Sequence, residues 1–398
     1  MKKIFIRAAA FIAALAVAVT AAAAQETPDE SEWASVASLR SVDDVAASTG
    51  SALLMEKETG TVLYEHNARD RLAPASVTKV MTMLLIAERM EAGLLSPEDT
   101  VTCSAHAASM GGSQIFLEEG EQMSAGDLLK SVAVASANDA AVALAEHIAG
   151  TESGCVEMMN DRARELGMED TVFANCTGLP CEEEHLTSAL DIAIMSRELI
   201  RIDAIKKYTS IWTDSVRSGS FGLSNTNKLI RFYQGATGLK TGFTQQAQYC
   251  LAATAERDGV EYIAVVMHAP SSDERFESAK LLLNYAFANF TLTEPAPDSA
   301  IPPVEVKLGK VGYIQPVLVS PGRILVKKSE LGGLKRELEL EQSVTAPVAA
   351  GRELGRLKVS DASGKVIYSA AIVAPQAVER TGTFKVFLRF LRLMLTGK

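Results

Sequence analysis

Pro74-Ala75-Ser76-Val77-Thr78-Lys79-Val80-Met81-Thr82-Met83-Leu84-Leu85-Ile86 is the stretch on which the reading of this chain turns. A proline precedes a serine, a lysine follows three positions later, and an apolar helical pattern then begins. Ser76 therefore falls at a helix N-terminus, where free backbone N–H groups and the helix dipole favour developing negative charge. Residues three apart share a helix face, so the Lys79 amine can point at the Ser76 hydroxyl. Serine is a weak nucleophile until a base takes its proton, and a desolvated lysine can act as that base. Taken alone, the same four residues also read as a capping serine and a solvated lysine.

Outward from this helix, the pattern stays helical to Ile202, with segments at Val77–Met90, Ala125–Val134 and Asp139–Ile148. Before it, Ala52–Met55 and Thr61–Tyr64 flank Glu58-Thr59-Gly60 and read as a β-hairpin. After it, strand-like runs recur at Tyr249–Thr254 and Tyr262–Met267, and a helix at Glu274–Phe287 closes the region. Strands at both ends with helices between them predict one α/β domain, residues 25–292, whose sheet joins its N- and C-terminal parts. Pro295, Pro297, Pro302 and Pro303 make 293–303 a stiff linker. Beyond it, Val304–Leu308 and Glu337–Leu340 alternate strictly, predicting a small all-β domain over 304–375.

The two termini carry different signals. Lys2, Lys3 and Arg7 precede an Ala/Val/Leu/Ile run, and Ala22-Ala23-Ala24 offers a cleavage site, so 1–24 reads as a secretory signal peptide. Its loss takes the formal charge from -10 to -13. In the tail, 380–398, Lys385, Arg389 and Arg392 form a basic stripe, while Phe384, Phe387, Leu388, Leu391, Met394 and Leu395 cover the rest. An amphipathic helix of this length is too short to span a bilayer core of about 30 Å. It suits the membrane interface, with docking on the β-domain as the other reading.

Composition excludes several function classes. Hydrophobic residues make up 47% and charged residues 22%, which is globular usage rather than disordered. The acidic balance lacks the basic footprint of a nucleic-acid binder. His66, His106, His147, His185 and His268 are scattered and no C-x-x-C exists, so neither a metal nor another cofactor is expected. Five cysteines are too few for a disulfide scaffold. Cys176 and Cys181 are near enough for a local bridge, and reduced thiols throughout are the other reading.

Two further elements bear on chemistry. Ser136-Ala137-Asn138 lies between two apolar helical segments, where the hydroxyl can shuttle a proton and the amide can grip a peptide carbonyl. A capping Ser/Asn pair is the plainer reading. Lys240-Thr241-Gly242 follows Gly238 in a strand, and the glycines let a ligand backbone approach its edge. Lys240 offers positive charge and Thr241 a donor for a terminal carboxylate. In isolation this too reads as an edge strand with a surface lysine.

Each element occurs once, in the order S-x-x-K, S-x-N, K-T-G, the set found in penicillin-recognising serine acyl enzymes. The chain resembles the D-alanyl-D-alanine carboxypeptidases, low-molecular-mass penicillin-binding proteins, over nearly its whole mature length. The blocks that carry the likeness are Leu72–Thr82, Ser136–Asp139 and Gly238–Thr244. Phe243 stands where many members have histidine. The resemblance implies a penicillin-binding/β-lactamase-like fold, a peptidoglycan pentapeptide substrate and covalent inhibition by β-lactams. It implies Ser76 as nucleophile, Lys79 as base, Ser136 as proton shuttle and Asn138 as the group orienting the peptide. Lys240, Thr241, Gly242 and Arg275 would hold the substrate end, and the backbone N–H groups of Ser76 and Phe243 the oxyanion. The leader and the tail together place the chain outside the cytoplasm, peripheral on the outer face of the cytoplasmic membrane. A class A-like β-lactamase shares the three motifs, but Glu183-Glu184-His185-Leu186-Thr187 lacks the Asn of E-x-x-L-N and reads as a solvated acidic turn. A non-catalytic cell-wall sensor of the same fold is the rival from outside enzymology.

Overall fold

The computed structural model describes residues 41–319 and 322–382, together with Phe387, Leu391, Met394 and Leu395. The expected hairpin forms as β1 (Ser51–Glu56) and β2 (Val62–His66). Its turn closes on the buried Glu56 carboxylate, which accepts N–H bonds from Glu58 and Thr59, both at 2.7 Å. The chain then enters a helical body: α1 (Lys79–Glu91), α2 (Ala125–Ala135), α3 (Asn138–Ala149), α4 (Glu152–Glu165) and α5 (Ala189–Arg201). Ser124, Thr151 and Ser188 cap α2, α4 and α5, each side-chain oxygen accepting a backbone N–H three residues on.

The chain returns to the sheet through β3 (Ala236–Thr244), β4 (Gln248–Arg257) and β5 (Val260–Ala269), then α6 (Ser272–Asn289). The strand order is β2-β1-β5-β4-β3, with every neighbouring pair antiparallel. The sheet thus joins both ends of the region, as the pattern of elements predicts. β1 and most of β4 and β5 are buried at consecutive positions, because helices cover the sheet. Two consequences position the site. β3 is an edge strand, with no strand paired on its outer side among the described residues, although Thr209 and Asn227 side chains bond its Thr237 and Gly238 carbonyls. α1 is buried at every position from Lys79 to Ala87, the mark of a helix at the centre of a core.

Beyond the linker, Val304–Lys307 points its valines inward and its charges outward. Val304, Val306, Ile314, Val344, Val348, Leu354 and Val378 belong to a small apolar cluster of their own. Pairing continues past 375, through bridges between Val348 and Val378 and between Gly309 and Arg380. The linker does not separate two independent bodies of strands. Phe290–Thr293, directly after α6, pairs antiparallel with Ile324–Lys327. Arg323 reaches back as well, donating to the Glu58 carboxylate and, at 3.0 Å, to the Gly259 carbonyl.

The expected leader, 1–24, lies outside the described residues, as does most of the tail helix. The four described tail residues beyond 382 are helical and exposed. Among the described residues, no helix is long and apolar enough to cross a membrane. All five cysteines are free, so the structure carries no bridge between Cys176 and Cys181.

Candidate active site

Ser76 sits in a short 3-10 turn, Ala75–Thr78, that runs directly into α1. Ala75 holds a left-handed backbone (φ 48°), which swings the serine out at the start of the helix. Lys79 Nζ lies 3.1 Å from Ser76 Oγ and donates to the Thr177 carbonyl at 2.7 Å. The lysine is fully buried. Burial pushes its ammonium down to about 7, opposed by Cys176 and Asp139 nearby. Such an amine is available as a base near neutral pH.

Ser136 caps the end of α2 in a left-handed conformation (φ 62°), and Asn138 opens α3 two residues later. The break between the helices comes from this turn, and both residues are nearly buried. Asn138 is gripped by the loop before α2. Its backbone N–H donates to Ser113 O at 2.7 Å and its Nδ2 to Gly111 O at 2.6 Å. Its Oδ1 is buried without a hydrogen-bond partner. Asp139 pins the same loop, accepting the N–H groups of Ile115 and Leu117 at 3.1 and 3.0 Å. From the other side, Arg217 donates to the Ile115 and Phe116 carbonyls at 2.7 and 3.1 Å and pairs with Glu121.

β3 brings the third motif against Ser76. A Cβ on Gly242 would lie 2.6 Å from Pro74 O and 3.1 Å from Ser76 N, so only glycine lets the strand come this close. Lys240 is buried, donates to the Thr241 carbonyl at 3.0 Å, and has its ammonium pushed well down by burial, with Lys79 and Arg275 adding repulsion. Thr241 Oγ1 bonds to Thr226 Oγ1 at 2.7 Å. Phe243 is half-exposed and its ring lies on Tyr249, 4.4 Å between centroids. Arg275 belongs to the first turn of α6. Its Nη1 donates to the Gly242 and Cys250 carbonyls at 3.0 and 3.3 Å, and its guanidinium lies over Tyr249.

The structure thus gathers Ser76, Lys79, Lys240, Gly242 and Arg275 around one turn, with Asn138 held by the neighbouring loop. Among the described residues, no hydrogen bond joins the acidic segment after Gly178 to Ser76 or Lys79. Glu183 is exposed, and Glu184 pairs with Arg71 at 3.1 Å on the surface. His185 instead turns inward, where its Nδ1 accepts the Ala174 N–H at 3.0 Å. That leaves Nε2 to carry the proton and donate to Thr78 Oγ1 at 2.7 Å, and burial pushes the imidazole down to about 4. Glu182, Glu183 and Glu184 line a cavity of about 220 Å³ together with Ala75, Gly178 and Thr244. Sequence reasoning missed the Thr177 carbonyl, Asp139 and Arg217. Signals were present for the first two, as an Asn-x-x-Gly turn at Asn175–Gly178 and an acid directly after Asn138, and none marks Arg217.

Known proteins of similar sequence and fold point to one family. Residues 37–271 match the family model described as D-alanyl-D-alanine carboxypeptidase, and 290–380 match the penicillin-binding protein 5 C-terminal domain. The chain is 43% identical over 355 residues to the D-alanyl-D-alanine carboxypeptidase DacF of Bacillus subtilis, covering 88% of this chain and 90% of that one. Penicillin-binding protein 5 from Haemophilus influenzae superimposes with a TM-score of 0.74 at 30% identity, covering 84% of this chain and 98% of that one. Penicillin-binding protein D2 from Listeria monocytogenes, solved in its ampicillin bound form, gives 0.53 at 31% identity, over 60% of this chain and 97% of its own. The chain belongs to the D-alanyl-D-alanine carboxypeptidase family and is a serine-type carboxypeptidase, with a β-lactamase-like α/β domain followed by an all-β one.

Proposed function

We propose that this chain removes the terminal D-alanine from peptidoglycan pentapeptides through an acyl-enzyme on Ser76. The observation that carries the reading is the Ser76–Lys79 pair, 3.1 Å apart, with the lysine buried and its proton weakly held. Ser76 Oγ attacks the penultimate D-Ala carbonyl while Lys79 takes its proton. The Ser76 and Phe243 N–H groups hold the oxyanion. As the C–N bond breaks, Ser136 and Lys79 return the proton to the departing amine, and water then attacks the ester to free the tetrapeptide. Asn138 orients the peptide. Lys240, Thr241 and Arg275 take the terminal carboxylate, and Gly242 allows β3 to stand against the nucleophile. The upstream peptide adds along the open edge of β3 and passes Thr244 toward the cavity.

Incubation with a D-Ala-D-Ala peptide should release D-alanine without metal or nucleotide. A penicillin should leave a lasting adduct on Ser76 by intact mass, and Ser76→Ala should lose both. An unchanged peptide would favour the sensor, and rapid drug turnover without an adduct the β-lactamase.

The same proposal covers location. The leader at 1–24 exports the chain, and 380–398 lies on the outer face of the cytoplasmic membrane with 304–375 as a spacer. The exposed Phe387, Leu391, Met394 and Leu395, at helical spacing, support an apolar stripe there. Removing 382–398 should abolish sedimentation with anionic vesicles while leaving activity on small peptides intact. Continued sedimentation of the shortened chain would overturn the anchor.

A further inference from the structure

The turn that faces Lys79 has no regular secondary structure to hold its shape. One side chain does that instead. Asn175 Oδ1 accepts from Thr177 N at 3.1 Å, from Thr177 Oγ1 at 3.1 Å and from Gly178 N at 2.7 Å. Its Nδ2 donates to Leu179 O at 2.9 Å and approaches Cys181 Sγ at 3.5 Å. Two backbone N–H donors on one end fix which atom of the amide is oxygen. The turn is wedged against the residue before Ser76, since a Cβ on Gly178 would lie 1.8 Å from Ala75 O. Thr82 Oγ1 ties it to α1 through Cys176 O at 2.7 Å.

The Thr177 carbonyl is what this turn presents to the base. A neutral amine has two N–H bonds and one lone pair. Donation from Lys79 to Thr177 O at 2.7 Å restricts rotation about Cε–Nζ, which leaves the lone pair free to face Ser76 Oγ at 3.1 Å. A carbonyl tilted away would let the amine rotate, and the serine proton would have no aligned acceptor.

We propose that Asn175 is a positioning residue for acyl transfer: through the Thr177 carbonyl it aims the Lys79 amine at Ser76. The inference rests on the reading of Lys79 as the base. The groups that face Lys79 are Ser76, Cys176 of the turn, Asp139 of α3 and Lys240 of β3, with Glu152 behind Cys176.

The test is the kinetics of acylation by a reporter penicillin across pH, separating drug binding from the covalent step, for Asn175→Asp, Asn175→Ala, Asn175→Ser and Lys79→Met. Asn175→Ala should slow the covalent step about 10–100-fold at unchanged drug binding, the penalty of a misaligned reacting pair. Asn175→Asp keeps an acceptor for the three N–H and O–H donors, which also hold it ionised, and gives up the Nδ2 bond to the Leu179 carbonyl. Its charge beside Lys79 should then move the acylation midpoint up by about one pH unit, which a purely structural role would not do. Should the Asp variant fail to fold, Asn175→Ser, with a shorter acceptor, should slow the covalent step about tenfold at unchanged binding. Wild-type rates and midpoint in the Asn175 variants would overturn the proposal, as would losses that only follow melting temperature. Lys79→Met separates the two readings. A dead Lys79→Met beside normal Asn175 variants rejects the positioning role alone, whereas an active Lys79→Met rejects the base itself.

Discussion

Lys79 occupies the first position of a helix in which the next eight residues are also buried. That placement explains both its chemistry and its effect on stability. Water cannot solvate the ammonium, so its pKa falls from 10.5 to about 7. Only the neutral amine can accept the Ser76 proton, so acylation should rise with pH through about 7. A rate independent of pH from 6 to 9 would remove Lys79 as the base. The stability sign follows from proton counting. Between about 7 and 10.5 the unfolded chain binds a proton at Lys79 that the folded chain does not, so this group's contribution improves as pH rises. Lys79→Met should flatten that part of the profile of unfolding free energy against pH. His185 titrates far below this window, at about 4.

The segment Gly111–Leu117 shows how an irregular element can be as firmly held as a strand. Asp139 takes two of its N–H groups and Arg217 two of its carbonyls, while Asn138 binds Gly111 and Ser113. Asp139 is fully buried, so Asp139→Ala would strand the Ile115 and Leu117 donors. Each buried donor left unpaired costs about 1–3 kcal/mol, and urea unfolding should therefore register a loss of roughly 2–6 kcal/mol. A loss below about 1 kcal/mol would mean that water replaces the carboxylate. Asp139→Asn, which keeps one acceptor, should fall between the two.

At the scale of the molecule, the sequence was most legible where chemistry and periodicity coincide. Ser76, Lys79, Asn138 and Lys240 stand in motifs of fixed spacing, and the hairpin, α1 and the Val304–Lys307 alternation follow from hydrophobic pattern. What escaped depends on contacts distant in sequence. Arg217 meets residues about a hundred positions earlier, and Arg323 meets Glu58 across 265 positions. No local pattern encodes such pairs. Arg275 shows a further limit. It stands where the resemblance puts a carboxylate contact, yet its Nη1 is engaged by the Gly242 and Cys250 carbonyls, a use of guanidinium that composition cannot reveal.

The pairing of Phe290–Thr293 with Ile324–Lys327 has a consequence for where this protein can be cut. Composition places the seam at the proline-rich segment, but hydrogen bonding runs straight over it, so the modularity is covalent rather than mechanical. A chain ended at Leu292 would keep the first strand and lose its partner, exposing an unpaired, partly apolar edge. Ending at Asn289, where α6 stops, removes that edge altogether. Both truncations should still be labelled by penicillin on Ser76, and the longer one should be the more prone to self-association in sedimentation velocity runs. Equal behaviour of the two would show that the strand is tolerated alone. Unequal behaviour would mean that Phe290, Thr291 and Leu292, the three residues that distinguish them, set whether the catalytic part can live as an independent protein.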